Sequence, residues 1–187
     1  MKQTEILIYC QRALRFALPA GAVWLVGHLL WQLLRRKKPQ PGRECLLLAF
    51  VVYMASLLQI TVWRAGVDWQ GVFAGKGGTQ QLQLTLLHTT LKAWRRNKQM
   101  FFYHSGGNVA WFIPFGIMVP GVRRRWNFAE TLLLGFLPSV GIEALRYFLR
   151  TGVTDIDDVL LNSLGAALGC LLILLTRLLS GNGRRKG

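Results

Sequence analysis

The sequence predicts an all-α fold, a polytopic membrane helix bundle of about five transmembrane helices plus an outer amphipathic helix. Three observations predict it. Apolar residues make up 52% of the 187 residues and fall in blocks rather than being spread along the chain. The basic residues, 23 Lys and Arg against eight Asp and Glu, form short clusters between those blocks. Five of the blocks approach the roughly 17–25 apolar residues that a spanning helix needs.

The first block, about Phe16–Leu34, runs into RRKK at 35–38 and lacks a small-residue cleavage site followed by polar sequence. It reads as an uncleaved span and not as a signal peptide. The second block is about Cys45–Trp63. The third, about Asn108–Val122, is short and carries Pro114 and Pro120, which predicts a bent or tilted helix whose freed carbonyls find neighbours or water. The fourth and fifth are about Phe128–Phe148 and Asp158–Leu179. The chain therefore divides into an N-terminal spanning helix with a basic cytoplasmic loop (1–44), a membrane domain (45–180) and a basic tail (181–187).

Between the second and third blocks, GVFAGKGGTQQ is Gly-rich and is expected to be irregular. LHTTLKAWRRNKQMFF reads as one helix. Its Leu87, Leu91, Trp94, Phe101 and Phe102 share a broad apolar side, and Lys92, Arg95, Arg96 and Lys98 decorate the rest. Amphipathicity leaves two readings, an interfacial helix lying on the outer leaflet and a helix packed on the bundle.

A formal charge of +15 raises nucleic acid as a partner. The distribution excludes it, because basic clusters that alternate with apolar runs mark loops flanking membrane spans. The short-loop clusters at 35–43, 123–125 and 184–186 place five spans with the N-terminus outside and the C-terminus in the cytoplasm, since long loops such as 64–107 cross largely regardless of charge. Cys10, Cys45 and Cys170 show neither a disulfide framework nor a zinc spacing and are expected to be buried small apolar residues. His28, His88 and His104 share no spacing, and His28 reads as a helix-packing residue.

On this topology Asn108, Glu143, Arg146, Asp155, Asp157, Asp158 and Asn162 gather at the outer side, on three different spans. Glu143 and Arg146 lie three apart on one helical face and can offset each other's charge. The acidic run TDIDD has three readings. Thr154 caps the fifth helix and Asp157 closes a capping box, which leaves Asp155 a surface carboxylate. Alternatively, Asp155, Asp157 and Asp158 hold a divalent cation, the only cofactor the chain suggests. Or a carboxylate among Glu143, Asp155 and Asp158 is a catalytic acid or base. Positions 158, 162, 165 and 169 share one helical face, on which Gly165 and Gly169 form a G-x-x-x-G that lets another backbone approach closely.

Two segments, GGNVAWFIPFGIMVP and EALRYFLRTGVTDIDDVLLNSLGAALG, together resemble the VanZ-like family of bacterial membrane proteins. The first matches G-N-x-x-x-F-x-P-x-G-x-x-x-P through Gly107, Asn108, Phe112, Pro114, Gly116 and Pro120. The second matches a membrane Glu followed by D-x-D-D-x-x-x-N-x-x-G-x-x-x-G, through Glu143, Asp155, Asp157, Asp158, Asn162, Gly165 and Gly169. Where the family often has E-x-x-Q, this chain has Arg146. The likeness covers about residues 100–175 well and 45–100 loosely, and the first span lies outside it. It implies a multi-pass protein of the bacterial inner membrane, and its namesake is linked to low-level resistance to teicoplanin, a lipidated glycopeptide.

Three function classes follow. The first is a non-transporting envelope module whose polar cluster binds a membrane lipid headgroup, a cell-wall precursor or a glycopeptide. The second is a membrane hydrolase or transferase with carboxylate acid–base or cation chemistry. The third is a transporter, which the broken third span suggests but no internal repeat supports.

Overall fold

Stretches of 20 or more apolar residues can satisfy their backbone in lipid only as helices, and helices dominate this protein. The computed structural model describes residues 3–36, 40–63, 67–76, 79–122 and 127–180. Two compact units make up the chain, Met1–Gln80 with Phe148–Gly152, and Gln81–Tyr147 with Val153–Gly187.

The first unit contains α1 (Gln3–Leu34), α2 (Pro41–Thr61) and α3 (Trp69–Phe73). Within α1, Gln11–Leu34 is apolar enough to cross a membrane. At 1.5 Å per residue it is about 36 Å long, against a hydrocarbon core of ~30 Å. Its Leu14, Leu18, Val23, Leu30 and Leu33 point outward and are exposed, as lipid contact requires. α1 and α2 pack closely at Gly21, where a β-carbon would lie 2.8 Å from Val52 Cγ2. Near the connection between them, His28 Nε2 lies 2.5 Å from Glu44 Oε2, and Gln32 Nε2 donates to Glu44 Oε1 at 2.8 Å. The His28 ring stacks between Trp24 and Trp31. It is thus a partnered helix-packing residue.

The second unit contains α4 (His88–Arg96), α5 (Lys98–Phe101), a π-helical turn (Phe102–Gly106), α6 (Gly107–Val122), all but the last residue of α7 (Phe128–Phe148), and α8 (Ile156–Leu179). Two strands of five residues, β1 (Thr79–Gln83) and β2 (Thr151–Asp155), pair into a small sheet. Among the described residues, four helices are long and apolar enough to span a membrane, namely α1, α2, α7 and α8. α6, the third expected span, has 16 residues and falls short alone. Helical backbone nevertheless continues without a break from Lys98 through the π turn to Val122.

α8 packs on α6 backbone to backbone. A β-carbon at Gly165 would collide with the Val109 carbonyl oxygen, one at Gly169 with that of Ile113, and one at Gly116 with that of Ala166. α7 joins at Gly135, where a β-carbon would sit 2.6 Å from Ala166 Cβ. Phe112, Phe115, Ala166 and Cys170 fill the buried seam. The close approach expected of the G-x-x-x-G is therefore present, and Gly116 is its counterpart on the facing helix.

Several expectations need correction. The stretch 87–102 is not one helix. Asn97 is extended (φ −162°, ψ 120°), and its side chain accepts from the Gln99 N–H at 2.8 Å, ending α4 and capping α5. A short amide side chain that bonds local backbone competes with helix propagation in this way. The Gly-rich stretch is only partly irregular. Asp68 caps α3 through the Gly71 N–H, and Thr79–Gln81 lie in β1. Cys170 is buried, but Cys45 is exposed on α2, and the Cys10 side chain lies outside the described set. The basic residues Lys37, Lys38 and Arg64, the cluster at 123–125 and the tail 181–187 also lie outside it. On α4, Ala93 is buried while Leu91 and Trp94, with Leu87 just before the helix, stay exposed.

Candidate functional site

The polar residues of α7 come first, because their spacing dictates their pairing. Arg146 follows Glu143 by three residues, which sets both on one face. Arg146 Nη1 donates to Glu143 Oε1 at 2.8 Å and, across to α8, to Asp158 Oδ2 at 2.9 Å. The other oxygen of Asp158 accepts from Asn108 Nδ2 at the start of α6. One carboxylate thus ties together three helices. Glu143 is nearly sealed, 4% exposed. Its Oε2 accepts the Asp155 N–H at 3.0 Å, and its backbone carbonyl accepts from Thr154 Oγ1 at 3.1 Å. An isolated charge at such depth costs several kcal/mol, and here every charged member has an opposite charge or a backbone N–H in contact.

The entry to α8 differs from the expected capping box by one residue. Thr154 is spent on Glu143. Asp155 is the N-cap, in extended conformation, and its Oδ1 accepts the Asp157 N–H at 2.9 Å. Both Thr and Asp side chains can cap a helix, and the tie from β2 to Glu143 decides which one does. Asp155 is accordingly buried and not a surface carboxylate.

Asp157, expected to close the box, instead faces α4. Its Oδ1 accepts the Leu87 N–H at 2.5 Å and its Oδ2 the Thr90 N–H at 2.9 Å. Leu87 sits in the left-handed region (φ 58°) and has no cap of its own. A carboxylate from α8 therefore serves as the missing cap of α4, where the helix dipole also favours negative charge. Asp157→Ala should remove about 1–2 kcal/mol from the first turn of α4. Hydrogen–deuterium exchange should show faster exchange at residues 87–91 with α7 and α8 unchanged. Unaltered protection at 87–91 would contradict the assignment.

Asn162, one turn below Asp158, turns to Ser139 on α7, its Nδ2 donating at 2.8 Å. Both are buried, and neither touches the charged group. The structure thus unites Asn108, Glu143, Arg146, Asp155 and Asp158 in one network and gives Asp157 and Asn162 separate partners. Asp155, Asp157 and Asp158 each face a different donor. Among the described residues no group of three or more His, Cys, Asp or Glu is placed to hold a metal ion. Ser139, Thr154 as a partner of Glu143, and the amides of Leu87 and Thr90 carry no spacing signal in the sequence, since each contact crosses between elements.

Arg146 and Asp158 keep about a fifth to a quarter of their side-chain surface accessible, 20% and 24%. The network therefore presents a positive and a negative group side by side at its open edge and seals Glu143 beneath them.

A curated relative, Protein VanZ of Enterococcus faecium, is 37% identical over 73 residues, covering 35% of this chain and 40% of that protein. This chain thus spans less than half the length of the relative it matches. No solved structure matches. The family model described as VanZ/LLP1 matches residues 50–177, a range that holds every member of the charged network. The chain belongs to the VanZ/LLP1 family.

Proposed function

We propose that this VanZ/LLP1 protein is a non-transporting, multi-pass protein of the bacterial inner membrane that binds an envelope ligand at the outer end of α6, α7 and α8. The ligand carries both an amino and an acidic group. Zwitterionic lipid headgroups, cell-wall precursors and lipoglycopeptides of the teicoplanin type share that chemistry, and the last of these fits the resistance context that the relative's name suggests. The observation that supports the reading is the partly exposed Arg146–Asp158 pair. A guanidinium offers a planar fork to a carboxylate or phosphate, and the adjoining carboxylate accepts an ammonium. Glu143 is nearly sealed from solvent while Asp158 keeps 24% of its side-chain surface accessible, so Asp158 is the carboxylate a ligand reaches.

The test uses the detergent-purified full chain, titrated separately with teicoplanin, a muropeptide and short-chain phosphatidylethanolamine, with tryptophan fluorescence as readout. Saturable binding of one of them is expected, weakened about tenfold by Asp158→Asn, the loss of one charge-assisted hydrogen bond. No saturable binding by any of the three would refute the reading. Lipid mass spectrometry of membranes carrying the wild type or Asp158→Asn separates binding from chemistry. A product that depends on Asp158 would replace the binding reading with a membrane hydrolase or transferase.

A further inference from the structure

α4 carries a feature the network does not use. An open groove of about 550 Å³ runs along it, and its lining includes His88, Lys92, Arg95 and Arg96 with Leu86 and Leu91. Lys92, Arg95 and Arg96 stand at i, i+3 and i+4, which puts them on neighbouring positions of one helix surface. All three are exposed, and among the described residues none of them pairs with a carboxylate. Residues 69–129 contain no Asp or Glu, and the carboxylate that reaches α4 from α8, Asp157, is spent on the Leu87 and Thr90 amides. Three like charges so close repel each other unless an anion joins them.

Two further facts define the anion. Leu87, Leu91 and Trp94 are exposed beside the basic groove, which a small soluble anion leaves in water. And Asp157 clamps the start of α4 to the first turn of α8. α4 is thereby tied to the first turn of a helix long and apolar enough to span a membrane, a position from which basic residues can meet headgroups and apolar residues acyl chains.

We infer that the groove along α4 is a binding site for the phosphate of an anionic membrane lipid, with His88, Lys92, Arg95 and Arg96 around the headgroup and Leu91 and Trp94 against its chains. The site is separate from the Arg146–Asp158 edge, and its ligand needs no amino group.

The experiment is native mass spectrometry of the detergent-purified full chain with equal amounts of phosphatidylglycerol and phosphatidylcholine. The wild type should retain phosphatidylglycerol preferentially. Each Lys or Arg near an anionic surface contributes roughly fivefold, so Lys92→Gln/Arg95→Gln/Arg96→Gln should lower that retention on the order of a hundredfold. The charge-preserving Lys92→Arg/Arg95→Lys/Arg96→Lys should keep the preference. The wild-type preference should also fall between about 50 and 500 mM salt, as the screening length shortens. Equal retention of the two lipids, a glutamine variant that retains phosphatidylglycerol as the wild type does, or indifference to salt would each overturn the inference. So would displacement of the lipid by an equal concentration of glycerol phosphate, which would mark a soluble-anion site. Asp158→Asn should leave the phosphatidylglycerol preference intact, so the two proposals fail independently.

Discussion

Arg146→Ala is expected to lower the stability of the folded chain by about 3–5 kcal/mol, the usual effect of removing one partner from a buried charge pair. The reason lies in the single nitrogen that serves two carboxylates. Arg146 Nη1 is 2.8 Å from Glu143 and 2.9 Å from Asp158. Without it, two negative charges on adjoining helices face each other with no cation between them, and Glu143 is nearly sealed from solvent. In a chain of this size each kcal/mol shifts the melting temperature by roughly 2–4 °C, so a fall of roughly 6–20 °C should appear in a fluorescence melt of the detergent-purified protein. Deleting the charges together, as Glu143→Gln/Arg146→Leu/Asp158→Asn, should restore most of the loss, because the penalty belongs to unpaired charge and not to the absence of an ion pair. A single mutant that melts within 2 °C of the wild type would show that the pair is solvated and not structural.

Gly165→Leu should be still more damaging and should abolish the monodisperse folded protein. Overpacking a core with one side chain ordinarily costs about 1–3 kcal/mol, because neighbouring side chains give way. At Gly165 the obstacle is the Val109 carbonyl oxygen, a backbone atom of α6 that cannot rotate aside, with Phe112 Cβ 3.0 Å away on the other flank. Even Gly165→Ala should destabilise, although alanine in a helix interior gains roughly 0.5–1 kcal/mol over glycine. Gly141 on α7 is the internal control, since a β-carbon there meets nothing within 4 Å. Gly141→Ala should be neutral or slightly stabilising in the same melt. Equal melting temperatures for Gly141→Ala and Gly165→Ala would mean that α6 and α8 are further apart than the carbonyl contact requires.

What could be read along the chain follows a physical divide. The spans were legible because lipid admits so few backbone arrangements that apolar length nearly dictates helix. The Glu143–Arg146 pair and the Gly165/Gly169 face were legible because both lie within one helix, where spacing is geometry. The third arm of the network was not, because Asp158 reaches Arg146 only after two helices have docked. The acidic run shows the same limit within a few residues. TDIDD announces a capped helix start, yet which residue caps is decided by Glu143 drawing Thr154 and the Asp155 amide toward itself. Strands β1 and β2, with sequences TQQLQ and TGVTD, show no clean alternation of apolar residues and, among the described residues, pair only with each other. Asn97 is a break that a helical wheel, which counts faces and not backbone competition, passes over.

The contacts of α8 also bear on the order in which the protein is made. Asp157 reaches back 70 residues to Leu87 and 67 to Thr90, and Asp158 reaches back 50 to Asn108. Ribosomal synthesis delivers the N-terminal elements first. α4 and α6 therefore emerge with these amide donors unanswered and wait for a helix not yet translated. Until α8 inserts, the upstream segments form a provisional intermediate, and a nascent chain stalled before residue 156 should be a preferred substrate for membrane quality-control proteases.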